Sequence, residues 1–339
     1  MIKIKYIRNG RGNRPPGVIS PPRAALAQQL DRGMPSVERR AGGEARICAA
    51  LQGSRTELRE YLRTGAGTGE TGRMTNTENR PAVRSERRGN IVLVTIDRPE
   101  ARNAVNQDVS TQLGNALHEA DTDPEIRVVV LTGAGEQSFC AGADLKAISR
   151  GEDIFPAENR EWGFAGMVQH YVSVPIIAAV NGTALGGGTE LALASDLVVA
   201  ADHAKFGLPE VNRGLVAAAG GAFRLPEQLP HRVAMEMVLT GEPISAERAL
   251  ELHLVNRVVP GDQLLEAALG LAEVIAANAP LAVQASKRVA LGISDGARPS
   301  EVEKWKVNDT EMINVMSSED AMEGPRAFAE KRAPVWKAR

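Results

Sequence analysis

The sequence predicts an α/β layered core followed by an α-helical C-terminal region, and three observations lead there. Short β-branched runs alternate with stretches of helical spacing from residue 91 to residue 200. Beyond residue 231 the apolar residues recur mostly at helical spacing, which separates an α/β part from a helical part. Aromatics make up only 4% of the 339 residues while Ala, Gly, Val and Leu dominate, a composition suited to tightly packed layers.

The elements follow in order. Ile91-Val-Leu-Val-Thr-Ile96 reads as a buried strand stopped by Asp97-Arg98-Pro99. Val109, Leu113, Ala116 and Leu117 give helical spacing to residues 105–120. Val128-Val-Val-Leu-Thr132 is the next strand, closed by Gly133-Ala-Gly135, and Pro175-Ile-Ile-Ala-Ala-Val180 the third. The latter runs through Asn181-Gly182 into a Gly-rich stretch and a helix, after which Asp196-Leu-Val-Val-Ala200 makes a fourth strand. Helices are expected at 231–240, 245–252, 262–278, 280–291 and 298–317, with a short strand in Leu254–Val259. Residues 147–174 hold Phe155, Trp162, Phe164, Met167, His170 and Tyr171. They read either as a helix packing an apolar face on the core or as a pocket wall.

Bulk properties exclude several classes. The net charge of −2 gives no support to polyanion binding by the whole chain. Two cysteines, Cys48 and Cys140, cannot build a disulfide framework and have no metal-ligand spacing, so a reducing cytoplasm is expected. No apolar run is long enough to span a bilayer. Residues 1–73 stand apart, with 12 Arg and 2 Lys against 6 acids and little periodicity. High charge and low hydrophobicity favour disorder there. Met74 opens a polar lead-in to the first strand, so residues 1–73 read as a disordered or non-native extension. The expected organisation is 1–73 extension, 74–270 core and 271–339 helical region.

Three segments carry chemistry, and each follows a predicted strand. Ser138-Phe-Cys-Ala-Gly-Ala-Asp-Leu-Lys146 has small residues that let the backbone approach a ligand. Asn181-Gly-Thr-Ala-Leu-Gly-Gly-Gly-Thr-Glu-Leu191 places three glycines before a helix whose N-terminus favours negative charge. Phe206-Gly-Leu-Pro-Glu-Val211 leads to Gly214-Leu-Val-Ala-Ala-Ala-Gly-Gly221. None fits a dinucleotide fingerprint, a P-loop or a nucleophile elbow. Glu190 sits nearly one helical turn after Gly187, and Glu210 follows a proline that holds the chain extended. Two carboxylates in one pocket suit acid–base work, because repulsion and burial separate their pKa values.

The three segments in this order resemble the enoyl-CoA hydratase/isomerase (crotonase) superfamily, and the similarity runs from about residue 85 to the C-terminus. The stretch Ser245–Val259 and Glu323-Gly-Pro-Arg-Ala-Phe-Ala-Glu-Lys-Arg332 also match family segments. The resemblance implies a spiral of ββα units with a C-terminal helical region, assembled as a homotrimer or homohexamer through helices from 262 onwards. It implies that the N–H groups of Ala141 and Gly187 form an oxyanion hole for a thioester carbonyl, with Glu190 and Glu210 as catalytic glutamates. Two amide donors can stabilise the negative oxygen of an enolate, each contributing about 2.7–4 kcal/mol. Coenzyme A contacts are implied at position 103, here Asn103, and at Ala143, Asp144, Leu145, Lys146, Gly186, Phe328 and Lys331, with Lys287 a further basic candidate. The acyl pocket is assigned to Trp162, Phe164, Met167 and Gly214.

By resemblance the activity is reversible syn hydration of a 2-trans-enoyl-CoA to a 3-hydroxyacyl-CoA. An enoyl-CoA isomerase and a specialised dehydratase of the carnitinyl-CoA type keep the same fold, but two glutamates favour water chemistry. A non-catalytic acyl-CoA or RNA binder using the basic N-terminal arm is the alternative of another class. No metal and no separate cofactor are implied, since coenzyme A is part of the substrate, and neither nucleic acid nor membrane is an expected partner. One departure is Val216-Ala-Ala-Ala219, where hydratases of the family commonly carry a proline. The five histidines share no ligand spacing, with His170 placed in the aromatic segment, and Cys140 reads as a packed small residue.

Overall fold

The structure is a computed structural model that describes residues 80–339, so the expectations for residues 1–73 lie outside the described residues. Two sheets organise the chain. The first holds β1 (Val83–Arg88), β2 (Ile91–Ile96), β3 (Val128–Gly133), β5 (Ile176–Val180), β7 (Leu197–Ala201) and β10 (Arg257–Val259), in the order β1-β2-β3-β5-β7-β10. The second holds β4 (Ser138–Cys140), β6 (Thr183–Leu185), β8 (Lys205–Gly207) and β9 (Ile244–Ser245), in the order β4-β6-β8-β9. Strands β2, β3, β5, β7 and β10 run parallel, as do β4, β6 and β8. The run Val128-Val-Val-Leu131 is fully buried, which explains why it is uninterrupted by polar residues.

The chain visits the two sheets alternately. β3 leads to β4 and helix α2 (Leu145–Ser149); β5 leads to β6 and α3 (Gly187–Ala194); β7 leads to β8 and a 3-10 turn at Pro209–Arg213. This is the spiral of ββα units implied by the resemblance. Its consequence is geometric: parallel neighbours in register put Cys140 beside Ala184 and Leu185 beside Gly207. Segments about forty and twenty residues apart in sequence therefore leave the second sheet at one edge.

Helix α1 (Gln107–Thr122) starts two residues later than the apolar spacing suggests because Asn106 caps it, its Oδ1 accepting the Val109 N–H at 3.1 Å. After it come α4 (Gly221–Gln228), α5 (His231–Thr240), α6 (Ala246–Glu251), α7 (Leu264–Ala276), α8 (Pro280–Leu291), α9 (Pro299–Met316) and α10 (Glu319–Ala329). Helix α7 buries Leu264, Ala268, Ala272 and Ala276 on the first sheet, so the boundary drawn at residue 270 falls inside a helix that belongs to the core. No single helix among the described residues is long and apolar enough to cross a membrane.

Of the two readings of residues 147–174, the helix does not form. After α2 they form only two 3-10 turns, Arg160–Trp162 and Phe164–Gly166. Left-handed conformations at Asn159, Gly163, Ala165 and Gly166 reverse the chain repeatedly and cannot be incorporated in an α-helix.

Candidate active site

The edge where β4, β6 and β8 end gathers the three segments. Gly142 takes φ +86°, and a Cβ on it would stand 3.0 Å from the Gly187 N. A side chain at Gly188 would lie 2.0 Å from the Cys140 carbonyl oxygen, so only glycine lets α3 start against β4. Thr189 fixes the junction from below. Its buried hydroxyl donates towards Ala184 O (2.7 Å) and Gly207 O (2.9 Å) and accepts the Gly207 N–H (3.0 Å), tying α3 to β6 and β8.

Glu190 is 3% exposed on the first turn of α3. Its Oε1 accepts the Gly221 N–H at 2.8 Å, which joins the carboxylate to the start of α4. Glu210 sits in the Pro209–Arg213 turn, where Gly214 adopts a left-handed conformation and Leu215 N donates to Glu210 O at 3.0 Å. Its Oε1 packs 2.9 Å from the place of a Cβ on Gly186, and its buried Oε2 has no partner among the described residues. Burial pushes Glu190 up to about 7, against the opposing N–H groups of Gly221 and Ala219 and the charge of Arg224. Burial and then the charge of Glu190 push Glu210 up to about 8. The two carboxyls thus form an electrostatically linked pair that titrates near neutrality.

The two assigned oxyanion donors differ. Gly187 is the first residue of α3, whose first N–H groups lie outside the helical ladder and at its positive end. Ala141 N–H donates to Arg102 O at 3.1 Å. The acceptor comes from a loop in which Arg102 and Asn103 are both left-handed. Asn103 is fully buried; its Oδ1 accepts Arg98 N–H (3.0 Å) and its amide donates to Ala134 O (3.0 Å) and Ser138 O (2.7 Å). Val105 N–H to Gly142 O (2.8 Å) and an Arg98–Asp144 ion pair (3.0 Å) complete the clamp on the Ala141 turn. Asn103 and Asp144 therefore act here as framework groups. Asp144 also caps α2 through the Lys146 and Ala147 N–H groups, both at 3.1 Å.

The remaining assigned residues scatter. Phe164 packs over Gly187, its ring 2.4 Å from the place of a Cβ. Met167 is buried one loop further on. Trp162 turns outward, stacking on His170 (4.1 Å between ring centres) and resting on Gly114 of α1, so it lines the outside of α1 rather than the carboxylate pair. Gly214 is pressed against Asp320 O and Trp336 of the C-terminal segment. Ala143 and Leu145 are half-buried beside the Ala141 turn and Lys146 is exposed. Phe328 lies under the Arg213 guanidinium, 4.2 Å from its ring centre, and is 55% exposed, near exposed Lys331. Lys287 pairs with Asp196 (2.6 Å) near the start of β5, a structural bond away from the carboxylates. Burial raises the Cys140 thiol to about 12, which removes it as a nucleophile. Thr189 and the Arg98–Asn103 clamp carry no periodic signal in the sequence; the adjacent Asp97-Arg98 pair and Asn103 are the clamp's only local mark. Among the described residues no His, Cys, Asp and Glu cluster could hold a metal ion.

Known proteins share this fold and much of this sequence. The sequence profile described as enoyl-CoA hydratase/isomerase matches residues 86–339. The chain is 46% identical over 258 residues to the carnitinyl-CoA dehydratase of Salmonella typhi, covering 75% of this chain and 97% of that protein. A crystal structure of carnitinyl-CoA hydratase from Mycobacterium avium superimposes with a TM-score of 0.76 at 64% identity, covering 77% of this chain and all (100%) of the other. A crystal structure of enoyl-CoA hydratase from Mycobacterium tuberculosis gives 0.60 at 46% identity, with 77% and 100% covered.

Proposed function

We propose that this chain, which belongs to the enoyl-CoA hydratase/isomerase family, adds and removes water across the α,β carbon bond of an acyl-CoA thioester. The observation that carries the reading is the linked pair of buried carboxyls, Glu190 and Glu210, beside the first N–H of α3. The thioester oxygen takes the Gly187 N–H and replaces Arg102 O as acceptor of the Ala141 N–H. Glu190, held by Gly221, orients water and accepts its proton as the oxygen bonds to the β-carbon. Glu210, protonated near neutral pH, gives its proton to the α-carbon of the enolate. The C=C π bond, one O–H bond of water and the O–H bond of Glu210 break, one C–O bond, one C–H bond and the O–H bond of Glu190 form, and the pair ends with its single proton moved from Glu210 to Glu190. The balance needs no further cofactor, because coenzyme A arrives as part of the substrate.

The reaction is read as reversible hydration of a 2-trans-enoyl-CoA to the 3-hydroxyacyl-CoA in the cytoplasm. Dehydration of carnitinyl-CoA is the second reading, favoured by the identity to relatives of that name over nearly their whole length. An isomerase is less well supported, since moving a double bond does not require two carboxyls with opposite roles. Lys146, Phe328 and Lys331 are assigned to coenzyme A, and Phe164 and Met167 to the acyl group. Exposed Val274, Leu281, Val289 and Val307 on α7–α9 support association into a homotrimer or homohexamer.

The test is a panel of 2-trans-enoyl-CoA esters of graded length together with carnitinyl-CoA, followed by loss or gain of the conjugated chromophore. Wild type turns over one class, and Glu190→Gln or Glu210→Gln lowers kcat at least about a hundredfold. Retention of hydration in both variants would sink the two-carboxylate mechanism. Light scattering on the purified protein reads the oligomer.

A further inference from the structure

Arg224 lies on α4, three residues after the Gly221 N–H that holds Glu190. Its side chain is 7% exposed. The guanidinium donates through Nε to Glu301 Oε1 (3.1 Å) and through Nη2 to Glu301 Oε2 (2.7 Å) and Val168 O (2.7 Å). Its Nη1 is buried with no acceptor among the described residues, 3.3 Å from the place of a Cβ on Gly220. The Glu190 Oε1 stands 2.9 Å from the place of a Cβ on Gly221. Guanidinium and carboxylate thus flank neighbouring glycines of one peptide link.

The charge balance makes the arrangement directional. On α9, Glu301 is shared by Arg224 and Arg298 (2.7 Å) and also accepts Trp305 Nε1–H at 3.3 Å. Two arginines share one carboxylate; Arg298 is 31% exposed and reaches water, whereas Arg224 is buried with an unpartnered Nη1, so part of the Arg224 charge is left uncompensated where that is costly. An ionised Glu190 balances it. Asp196 and Asp309 line the cavity beside Arg224 but are engaged with Lys287 and Asn308, and the elements against α3 add little. β5 and β6 carry no ionisable side chain, β4 brings only the Cys140 thiol, and the Pro209–Arg213 turn brings Glu210 and an Arg213 engaged with Phe328. Glu227 on α4 is turned to Lys304.

We propose that Arg224 is a positioning residue for the acid–base pair: its charge adds to the Gly221 N–H in favouring the ionised form of Glu190, and Glu301 on α9 sets how much of that charge reaches Glu190. The proposal rests on reading Glu190 and Glu210 as that pair. Two features make it more than a packing role. A hydrogen-bonded arginine packed for structure alone needs no second carboxylate beyond Glu301. And removal of the two partners, Arg224 and Glu301, must move Glu190 in opposite directions, whereas loosening of a packed cluster moves it one way.

The experiment uses the full chain labelled with [δ-13C]glutamate, with the Glu190 resonance assigned from Glu190→Gln, so that titration is read without turnover. Wild type, Arg224→Met, Arg224→Lys and Glu301→Gln are compared, and the pH profile of kcat is recorded in parallel. Arg224→Met is expected to move the Glu190 titration up by about one pH unit, Arg224→Lys to restore most of it, and Glu301→Gln to move it down. The acidic limb of kcat shifts with them while KM stays within about twofold. A Glu190 midpoint that stays within about 0.3 pH unit in every variant overturns the proposal, as does a shift of the same sign in Arg224→Met and Glu301→Gln. If Arg224→Met does not fold, the near-isosteric Glu301→Gln and the charge-preserving Arg224→Lys decide between the same outcomes. Absence of hydration in wild type would instead remove the catalytic reading and leave the titration result standing.

Discussion

Glu190 and Glu210 reach the same place from parts of the molecule built on different principles. Glu190 is carried by α3, whose start is locked to both neighbouring strands by Thr189 and to β4 by glycine contact, and its Oε1 is held by Gly221. Glu210 is carried by a short 3-10 turn that owes its shape to Pro209, Gly214 and the weight of α10 lying over it. One carboxylate has an N–H aimed at it; the other keeps a buried oxygen with no partner among the described residues. A hydrogen bond to the charged form favours ionisation, and burial without one favours the proton. On the proposed reading, the difference suits Glu190 to the role of base and Glu210 to that of acid.

The contrast is broken most severely on the Glu190 side. Gly188→Ala puts a methyl 2.0 Å from the Cys140 carbonyl, a contact that only displacement of α3 from β4 can relieve. That displacement moves the Gly187 donor and Glu190 together. A loss of one such donor alone costs about 2.7–4 kcal/mol. Turnover of the best substrate is expected to fall about a thousandfold, with a lower Tm, and steady-state kinetics beside thermal unfolding measure both. Unchanged kcat in Gly188→Ala would show that the site does not depend on the α3–β4 contact. On the other side, Gly324→Ala places a methyl 1.9 Å from Arg213 O, and α10 must lift from the turn. Because the turn keeps its own hydrogen bonds, the loss there should be about tenfold in kcat/KM rather than a thousandfold.

The pair also has a cost that pH exposes. Both folded carboxyls, at about 7 and about 8, lie above the unfolded value of a glutamate near 4.3. A group whose pKa is raised on folding contributes stability that is fully present below the unfolded value and lost as pH rises through the folded one. Above pH 8 the ionised pair therefore destabilises the fold. Glu210→Gln removes the charge and keeps the shape. Its Tm should match wild type below about pH 4 and exceed it by about 4 °C or more at pH 9, checked by calorimetry across that range. A constant difference at all pH values would mean that the side chain's shape, not its ionisation, sets the stability.

The sequence reveals these two regions unequally. β2, β3, β5 and β7 and the helices from α5 to α9 are long enough for their periodicity to show, and they fall within a few residues of the expected limits. β4, β6 and β8 have three residues each, too few for any period, yet they are what carries the three segments to one edge. The segments themselves are legible because glycine and small residues are required locally, wherever a backbone must approach another backbone. Trp162 is the reverse case. Scarce aromatics near a pocket invite a pocket role, but its landing place, Gly114 on α1, lies 48 residues earlier in the chain and nothing local announces it. Arg224 is hidden for the same reason, since Glu301 lies 77 residues away.

The smallest effect is expected at the outer rim of the Glu210 side. Phe328 presents its ring to Arg213 at 4.2 Å and is still 55% exposed, a contact that water largely screens. Such a pair contributes about 0.5–1 kcal/mol. Its position on α10 ties the helix to the turn that bears Glu210, and the exposed ring is where coenzyme A is assigned. Phe328→Ala should accordingly raise KM by about two- to fivefold with kcat nearly unchanged, because uniform binding is lost and the carboxyls are not moved. Phe328→Leu, which keeps apolar bulk without the π face, separates the two contributions. If Leu restores KM, the ring acts by packing; if it does not, the Arg213 contact is what holds α10 in place. A fall in kcat in either variant would instead mean that the Glu210 turn depends on this contact as strongly as α3 depends on Thr189.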